Sequence, residues 1–509
     1  MSLLDDVSIV ITPNGYKAGT LFGAIPVPTF GSDVVVNGGF TADTDWSKGG
    51  NWSIGSGVAT ANGNSNGNIS QNIPLTSGTT YSITYTVVNA SSGSQIGLAP
   101  NGSTIQNTRT ADGTYNEIYT ATNTTLYIRS LWNNGNPVSV DNVSVKEWLG
   151  ADMDVTRATA ATRVDENGLV ADVLSNVPRI DYTGGGCPHI LAEPQRTNLI
   201  PYSEDLTQWN KGNLTISSDA IVSPDGTQNA DTLNVIDDND FIYEGATTTA
   251  STEYVFTFYV KRGTIAESSL KLAIYDDTNN AFIVSDISYS ASDSEWTRVT
   301  QSFTTPVGCI LIRAYAFRNS STTLGTFSVW GAQLEEGSYA TSYIPNFGTA
   351  LGVTRNQDQF SRDGISSLIN SEEGVLFVEM AKFQDATNFG GFELNDGTSS
   401  NSVSVYTRNA SSSVTVIIRK SGTQEWRLDY NTGVNTYDFN SYAIRFSDNN
   451  FSLWVNGSKA GEQLSGSTPL SLSNLTLSAF WGGTFYGKVK QLQVFKTALT
   501  DSELIALTS

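Results

Sequence analysis

From Val7 to Phe495 the chain is written in short alternating runs separated by gaps rich in Gly, Asn and Ser, and helical periodicity is almost absent. A period of two sends successive side chains to opposite faces of a strand. Such runs can hide an apolar face only by pairing into sheets and stacking one sheet on another. The expected fold class is therefore all-β, built from antiparallel sandwiches. Tyr81–Val88, Thr125–Leu131 and Val138–Val145 mark a first group of strands. Tyr254–Lys261, Leu270–Tyr275, Trp296–Phe303, Ile310–Phe317 and Thr326–Trp330 mark a second. Gly374–Lys382, Val403–Thr407, Val414–Arg419, Tyr442–Ser447, Phe451–Val455 and Val489–Phe495 mark a third, with Asp448-Asn449-Asn450 as a hairpin turn. Both faces of Tyr254–Lys261 are apolar, which predicts a central strand. The one strong helix signal is TALTDSELIALTS at the end, where Thr500 can cap and Glu503 stands three residues on.

A length of 509 residues suits roughly three or four domains. Two stretches, TNLIPYSEDLTQWNK at 197–211 and FSVWGAQLEEGSYATSYIP at 327–345, open and close one β-domain. The expected organisation is a small irregular N-terminal attachment module made of 1–31 and 151–196, a sandwich inserted at 32–150, a second at 197–346 and a third at 347–509. The stretch DYTGGGCPHILAEPQRTNL reads as loop, because its glycines and prolines defeat both helix and strand.

The net charge of −21 and the lack of a Lys/Arg cluster exclude a nucleic-acid partner, since phosphate binding needs a basic patch. No stretch is long or apolar enough to span a membrane, and the first residues lack the basic and apolar regions of a signal peptide. Cys187 and Cys309 form neither a disulfide framework nor a zinc motif and are expected free, which suits assembly in a reducing cytoplasm.

Catalytic chemistry is poorly supplied. The single histidine, His189, follows Cys187 by two residues in Gly-Cys-Pro-His, where a turn held by Pro188 explains the spacing better than a dyad. A retaining glycosidase needs two carboxyl groups about 5 Å apart, and Glu373 and Glu379 only flank a strand. Asp237-Asp238-Asn239-Asp240 and Asp276-Asp277 read as solvated turns, though oxygen-rich loops of this kind can hold calcium. The chain is expected not to be an enzyme. Glycan binding asks instead for exposed aromatic rings beside amides and carboxylates. The candidates are Trp52, Tyr127 and Trp132 with Asn133 in the first sandwich, and Trp481, Phe485 and Tyr486 in the third. Trp132 leads, because the polar loop Asn133-Asn134-Gly135-Asn136 follows it directly. Trp209, Trp330 and Trp454 sit inside strand patterns and are expected in cores.

Several spans resemble known families. Span 33–147, through Asn37-Gly38-Gly39-Phe40, Trp46, Trp52 and Val140-Asp141-Asn142-Val143-Ser144-Val145, resembles bacterial jelly-roll carbohydrate-binding modules. That resemblance implies a structural calcium held by an acidic residue after the opening Gly-Phe and by the Asp of the closing strand. Here Thr41 occupies the first place and Asp141 the second. Span 197–346, through Asn198-Leu199, Ser203-Glu204-Asp205, Trp209, Tyr259-Val260-Lys261 and Trp330-Gly331-Ala332-Gln333-Leu334-Glu335, resembles a related module of tailed-phage virion proteins. Span 370–507, through Phe451–Gly457, Gly487-Lys488-Val489 and Phe495–Leu504, is similar to the concanavalin A-like, laminin G sandwich. Segments 1–26 and 151–196 resemble the N-terminal parts of fibre-like proteins of phages that infect Bacteroidota. Together these imply two jelly-rolls and one concanavalin A-like sandwich in a tail fibre, head fibre or baseplate-associated adhesin. It would be a virion protein assembled in the bacterial cytoplasm, trimeric by preference. It would attach to other virion proteins through 1–31 and 151–196 and bind host surface polysaccharide by avidity. A polysaccharide depolymerase with accessory modules and a purely architectural decoration protein are the alternatives.

Overall fold

The computed structural model describes residues 7–25, 29–75, 80–90, 92–121, 123–149, 152–318, 324–384, 389–408, 412–431, 433, 435–480 and 483–509. The described chain is almost entirely antiparallel strand, with one α-helix, Asp501–Thr508, at its end. That helix starts as its sequence requires. The Thr500 side chain accepts from the Glu503 backbone N–H, and the Glu503 carboxylate accepts from the Thr500 backbone N–H at 2.8 Å. The chain divides into two compact units, Ile25–Gly150 and the remainder.

The smaller unit is a sandwich of two sheets. One carries Gly113–Thr120, Thr80–Val88, Val138–Leu149, Val58–Ala61 and Trp52–Gly55 in that order, with Thr29–Asp33 beside Val138–Leu149. The other carries Ser47–Lys48, Gly67–Asn72, Thr125–Ser130 and Ile96–Leu98. Alternation fills the space between them: Ile83, Tyr85 and Val87 of one sheet meet Ile69, Leu126 and Ile128 of the other, all buried. The opening Asn37-Gly38-Gly39-Phe40 is structural. Asn142 at φ +50 bulges the closing strand, Val143 N–H donates to Gly38 O at 2.9 Å, and a Cβ on Gly38 would stand 1.9 Å from Val143 O. Phe40 then packs on Trp46 at 5.1 Å.

In the larger unit, the middle sandwich faces Thr215–Ile221, Ala230–Val235, Gly325–Glu336, Glu253–Arg262 and Thr297–Thr304 against Asn210–Lys211, Phe241–Thr247, Leu311–Arg318, Lys271–Asp276 and Ala281–Ser288. Glu253–Arg262 is central, paired on both sides, as its two apolar faces require. Trp209, Trp330 and Trp454 are all buried.

The N-terminal segments depart from expectation. They do not form an irregular module of their own. Val7–Lys17 pairs with the closing strand Gly487–Phe495 in the register Val7↔Phe495 and Ile11↔Leu492. His189–Ala192 continues along the same edge through Ile190↔Val489, and Met153–Thr156 pairs with Gln359–Arg362. Ile9, Leu21, Met153, Val155, Ile180 and Ile190 share one core with Leu376, Phe392 and Val494. The reason is physical. A lone strand such as VSIVI cannot bury its apolar face, and a sheet edge offers a row of unpaired N–H and C=O groups that such a strand completes. The stretch expected as loop is therefore partly strand, with Gly184, Gly185 and Gly186 confined to the turn at positive φ.

The joint of this unit is charged. Arg157, Arg179 and Arg355 meet Glu193 and Asp358, with every one of these side chains at most 3% exposed. Arg157 donates to Asp358 at 2.8 Å, Arg355 to Glu193 at 2.7 Å, and Arg179 bridges both carboxylates. The neighbouring guanidinium groups of Arg355 and Arg179 hold the Glu193 carboxyl well below the usual range, against the opposing effect of burial.

Candidate functional site

The site begins with a strand end. Thr125–Ser130 buries Leu126, Ile128 and Ser130, and the chain then leaves the sheet through Leu131. Trp132, the next residue, is 59% exposed. Its backbone is nevertheless fixed. Trp132 N–H donates to Asn66 Oδ1 at 2.6 Å, and Leu131 N–H donates to Gln95 O at 2.9 Å. Asn133 and Gly135 both donate their N–H groups to Gly63 O, at 2.9 and 3.1 Å. Asn134 at φ +51 and Gly135 at φ +78 turn the loop back, a conformation suited to Asn and Gly. Gly63, at φ +74, is required: a Cβ there would lie 2.2 Å from Asn136 O.

Two further loops close the frame. Asn51 donates from its amide to Ser65 O at 2.8 Å and to Ser130 Oγ at 3.1 Å. Asn133 donates from its amide to Ser94 Oγ at 3.3 Å. Asn62, Asn64, Asn66, Asn134 and Asn136 are exposed on the two loops that meet at Trp132. The result is an exposed tryptophan on a backbone that hydrogen bonds hold still, beside loops that carry neutral amides. An amide offers both donor and acceptor, which matches a sugar hydroxyl, and the indole face suits the C–H face of a pyranose.

The other expected residues are dispersed. Trp52 points into the smaller unit's core at 7% exposure, because Trp52–Gly55 alternates and position 52 faces inward. Tyr127 is half-buried on the outer face of its sheet, beneath the loop carrying Gly102. Phe485 is 1% exposed and packs on Phe392 at 4.8 Å, so it belongs to the core of the larger unit. Tyr486, next to it in the link between Gly483–Thr484 and Gly487–Phe495, is half-buried and donates its hydroxyl to Gln357 Oε1 at 2.6 Å. Trp481 lies outside the described residues. Asn133 is half-buried and serves the frame more than the surface.

The residues do not fit the calcium that the resemblance implies. Asn37 Oδ1 accepts from Thr41 N–H at 2.9 Å, and its amide donates to Ala42 O and Thr44 O. Asp141 accepts from the backbone N–H and the amide of Asn142 at 2.6 and 3.1 Å. With Thr41 in place of the acidic residue, Asp141 is the one carboxylate of the implied pair, and both its oxygens already accept from Asn142. Among the described residues, no group of three or more His, Cys, Asp or Glu side chains could hold a metal.

Three carboxylates of the larger unit have defined partners. Glu379 accepts from Lys490 and Gln491, and Glu373 accepts from the Ala498 backbone N–H. Glu393, its carboxyl pushed up by burial, accepts from Ser404, Asn395 and the Phe480 N–H. His189 Nε2 lies 3.1 Å from Asp181 in a buried strand, while Cys187 is exposed in the turn before it.

No known family model and no curated protein matches the chain. Solved structures that it resembles include β-sandwich carbohydrate-binding modules. The CBM40 of Ruminococcus gnavus IT-sialidase, bound to α2,3-sialyllactose, is 19% identical over 30% of this chain and 93% of its own, with a TM-score of 0.26. Domain 4 of the arabinanase AbnA of Geobacillus stearothermophilus, in complex with arabinotriose, is 16% identical over 34% and 82%, at 0.26. The CBM22-1 xylan-binding domain of Paenibacillus barcinonensis Xyn10C is 13% identical over 29% and 99%, at 0.23.

Proposed function

We propose that the chain is a non-catalytic glycan-binding protein that engages a cell-surface polysaccharide through the Trp132 loop cluster. The observation that carries this reading is Trp132, 59% exposed on a backbone held by hydrogen bonds, beside loops that carry exposed asparagines. An indole left in water has no folding benefit to explain it, and its fixed backbone lowers the entropy lost when a ligand stacks on it. One such contact is weak, so useful retention calls for several copies acting together. That requirement suits the trimeric fibre or adhesin of a tailed-phage particle, in which other virion proteins would hold the chain and the host surface would supply the polysaccharide.

Retention of the full chain on host surface polysaccharide tests the reading. Trp132→Ala should weaken it while leaving thermal melting unchanged. Equal retention of variant and parent rejects the site. Sustained release of reducing ends from the same polysaccharide would turn the assignment to a depolymerase. Images of a particle that show this chain on the capsid or tail would test the virion role, and a particle lacking it would reject that role.

A further inference from the structure

The middle sandwich carries a second surface whose residues come from strands far apart in sequence. The outward positions of Phe241–Thr247, Leu311–Arg318, Lys271–Asp276 and Ala281–Ser288 fall into cross-strand rows. One row runs Gly245, Arg313, Tyr275, Phe282, and the next runs Tyr243, Tyr315, Ala273. Phe241 and Arg318 pair beyond them. The rings form a connected array: Tyr243 to Tyr315 at 4.8 Å, Phe241 to Tyr243 at 5.8 Å and stacked, Tyr275 to Phe282 at 4.9 Å and edge-on. Phe282 is 40% exposed, and Phe241, Tyr243 and Tyr275 are half-buried.

Both arginines of this face are fixed. Arg313 lies between the Tyr243 and Tyr275 rings, 5.2 and 5.6 Å from their centroids, and donates to Asp277 at 2.6 Å. Arg318 lies over Phe282 at 4.8 Å and donates to both oxygens of Asp286 at 2.6 and 2.7 Å. Gly245 provides the low point, while Ala273 is fully covered. A Cβ on Gly245 would meet nothing closer than Ile312 O at 3.8 Å, so the space above it is open. A sheet face facing only water gains little from so many ordered rings, because folding buries them incompletely.

We infer that this face is a second binding site, taking an uncharged polysaccharide chain laid across the rings with its hydroxyls toward Arg313 and Arg318. Charge selects the class of ligand. Each arginine already has its own carboxylate, so the pairs are neutral, and the whole chain carries −21. A carboxylated or sulfated glycan would have to compete with Asp277 and Asp286 for the same guanidinium groups. An uncharged hydroxyl only accepts a spare N–H, which a guanidinium with five donors can provide while it remains paired. A cationic ligand is disfavoured too, since the ring faces already hold the arginines. The extended rows suit a linear chain of several sugars, where the Trp132 cluster offers one stacking ring.

This inference rests on the reading of the protein as a glycan binder. The test is affinity electrophoresis of the full chain through gels containing xyloglucan, galactomannan or hydroxyethylcellulose, with polygalacturonate as the charged comparison. It is run on Trp132→Ala, on Tyr243→Ala/Phe282→Ala and on Gly245→Gln, which fills the low point without removing a ring. In the Trp132→Ala background a neutral polysaccharide should still retard the protein. Either platform variant should weaken that retardation at least tenfold, with polygalacturonate at least tenfold weaker throughout. Platform variants as strong as the parent overturn this site and leave the Trp132 reading standing. Loss on Trp132→Ala alone does the same. Preference for polygalacturonate overturns the assignment of an uncharged ligand, and no retardation by any neutral polysaccharide overturns both sites. Should the double variant melt early, Gly245→Gln alone decides.

Discussion

The Trp132 cluster and the ring array of the middle sandwich solve one problem by opposite means. Trp132 stands alone on a loop, and the backbone N–H and C=O groups of three loops hold it in place. The ring array lies on a sheet, and its rings are set by strand register and by arginines clamped between them. The first arrangement exposes more of a single ring. The second gives up exposure, with Tyr315 at 8%, for length and for tethered donors. A loop site can change by local substitution, whereas a sheet site changes only with the register of its strands. The two also sit in separate compact units, which makes them separable by experiment.

The strongest way to break the comparison is to damage one unit alone. Arg179→Met leaves Asp358 and Glu193 buried with less compensation, and loss of one partner from a buried ion pair costs about 3–5 kcal/mol. Calorimetry should show the larger unit's transition fall by many degrees while the transition of Ile25–Gly150 stays. A common shift of both would mean that the two surfaces share one cooperative unit. The reciprocal change is Gly63→Ala, which forces a Cβ toward Asn136 O at φ +74. It should cost about 1–3 kcal/mol in the smaller unit alone, read as a lower melting midpoint for that transition. Trp132→Ala comes next. With the ring exposed it should leave both transitions in place and weaken retention about tenfold, equivalent to about 1.4 kcal/mol. Asp286→Asn is the finest probe. An exposed pair is worth about 0.2–1 kcal/mol, so freeing Arg318 should improve polygalacturonate binding only severalfold, and high salt should erase the gain.

Legibility in the sequence followed distance along the chain. Trp132 could be read because its polar frame is contiguous with it at 133–136. The all-β class, the central strand Glu253–Arg262 and the capped terminal helix could be read for the same reason, since each is a local pattern. The ring array could not. It needs the pairing of 241–247 with 311–318, and a bulge between Ile242 and Tyr243 shifts the phase that alternation would supply. Within Leu311–Arg318, Ala314, Tyr315, Ala316 and Phe317 are all buried, so no outward face stands out in the letters. The joint of Arg157, Arg179, Arg355, Glu193 and Asp358 was equally hidden, because single charged residues read as surface until the fold gathers them. Phe485 and Tyr486 are neighbours in sequence, yet Phe485 enters the core while Tyr486 pairs with Gln357, a partner far from both in the chain.

The pairing of Val7–Lys17 with Gly487–Phe495 sets an order of events during synthesis. Ser8 Oγ donates to Val494 O across 486 residues, so one edge of the strand waits for that length of chain to emerge before this partner exists. Ile25–Gly150 and the middle sandwich can collapse meanwhile, since each closes on its own strands. Thr20–Ile25 and Met153–Thr156 also pair with Val7–Lys17, but until translation passes Phe495 the edge that Gly487–Phe495 takes stays open to any neighbouring strand. Ribosome stalling before Phe495 should therefore yield aggregates seeded by Val7–Lys17.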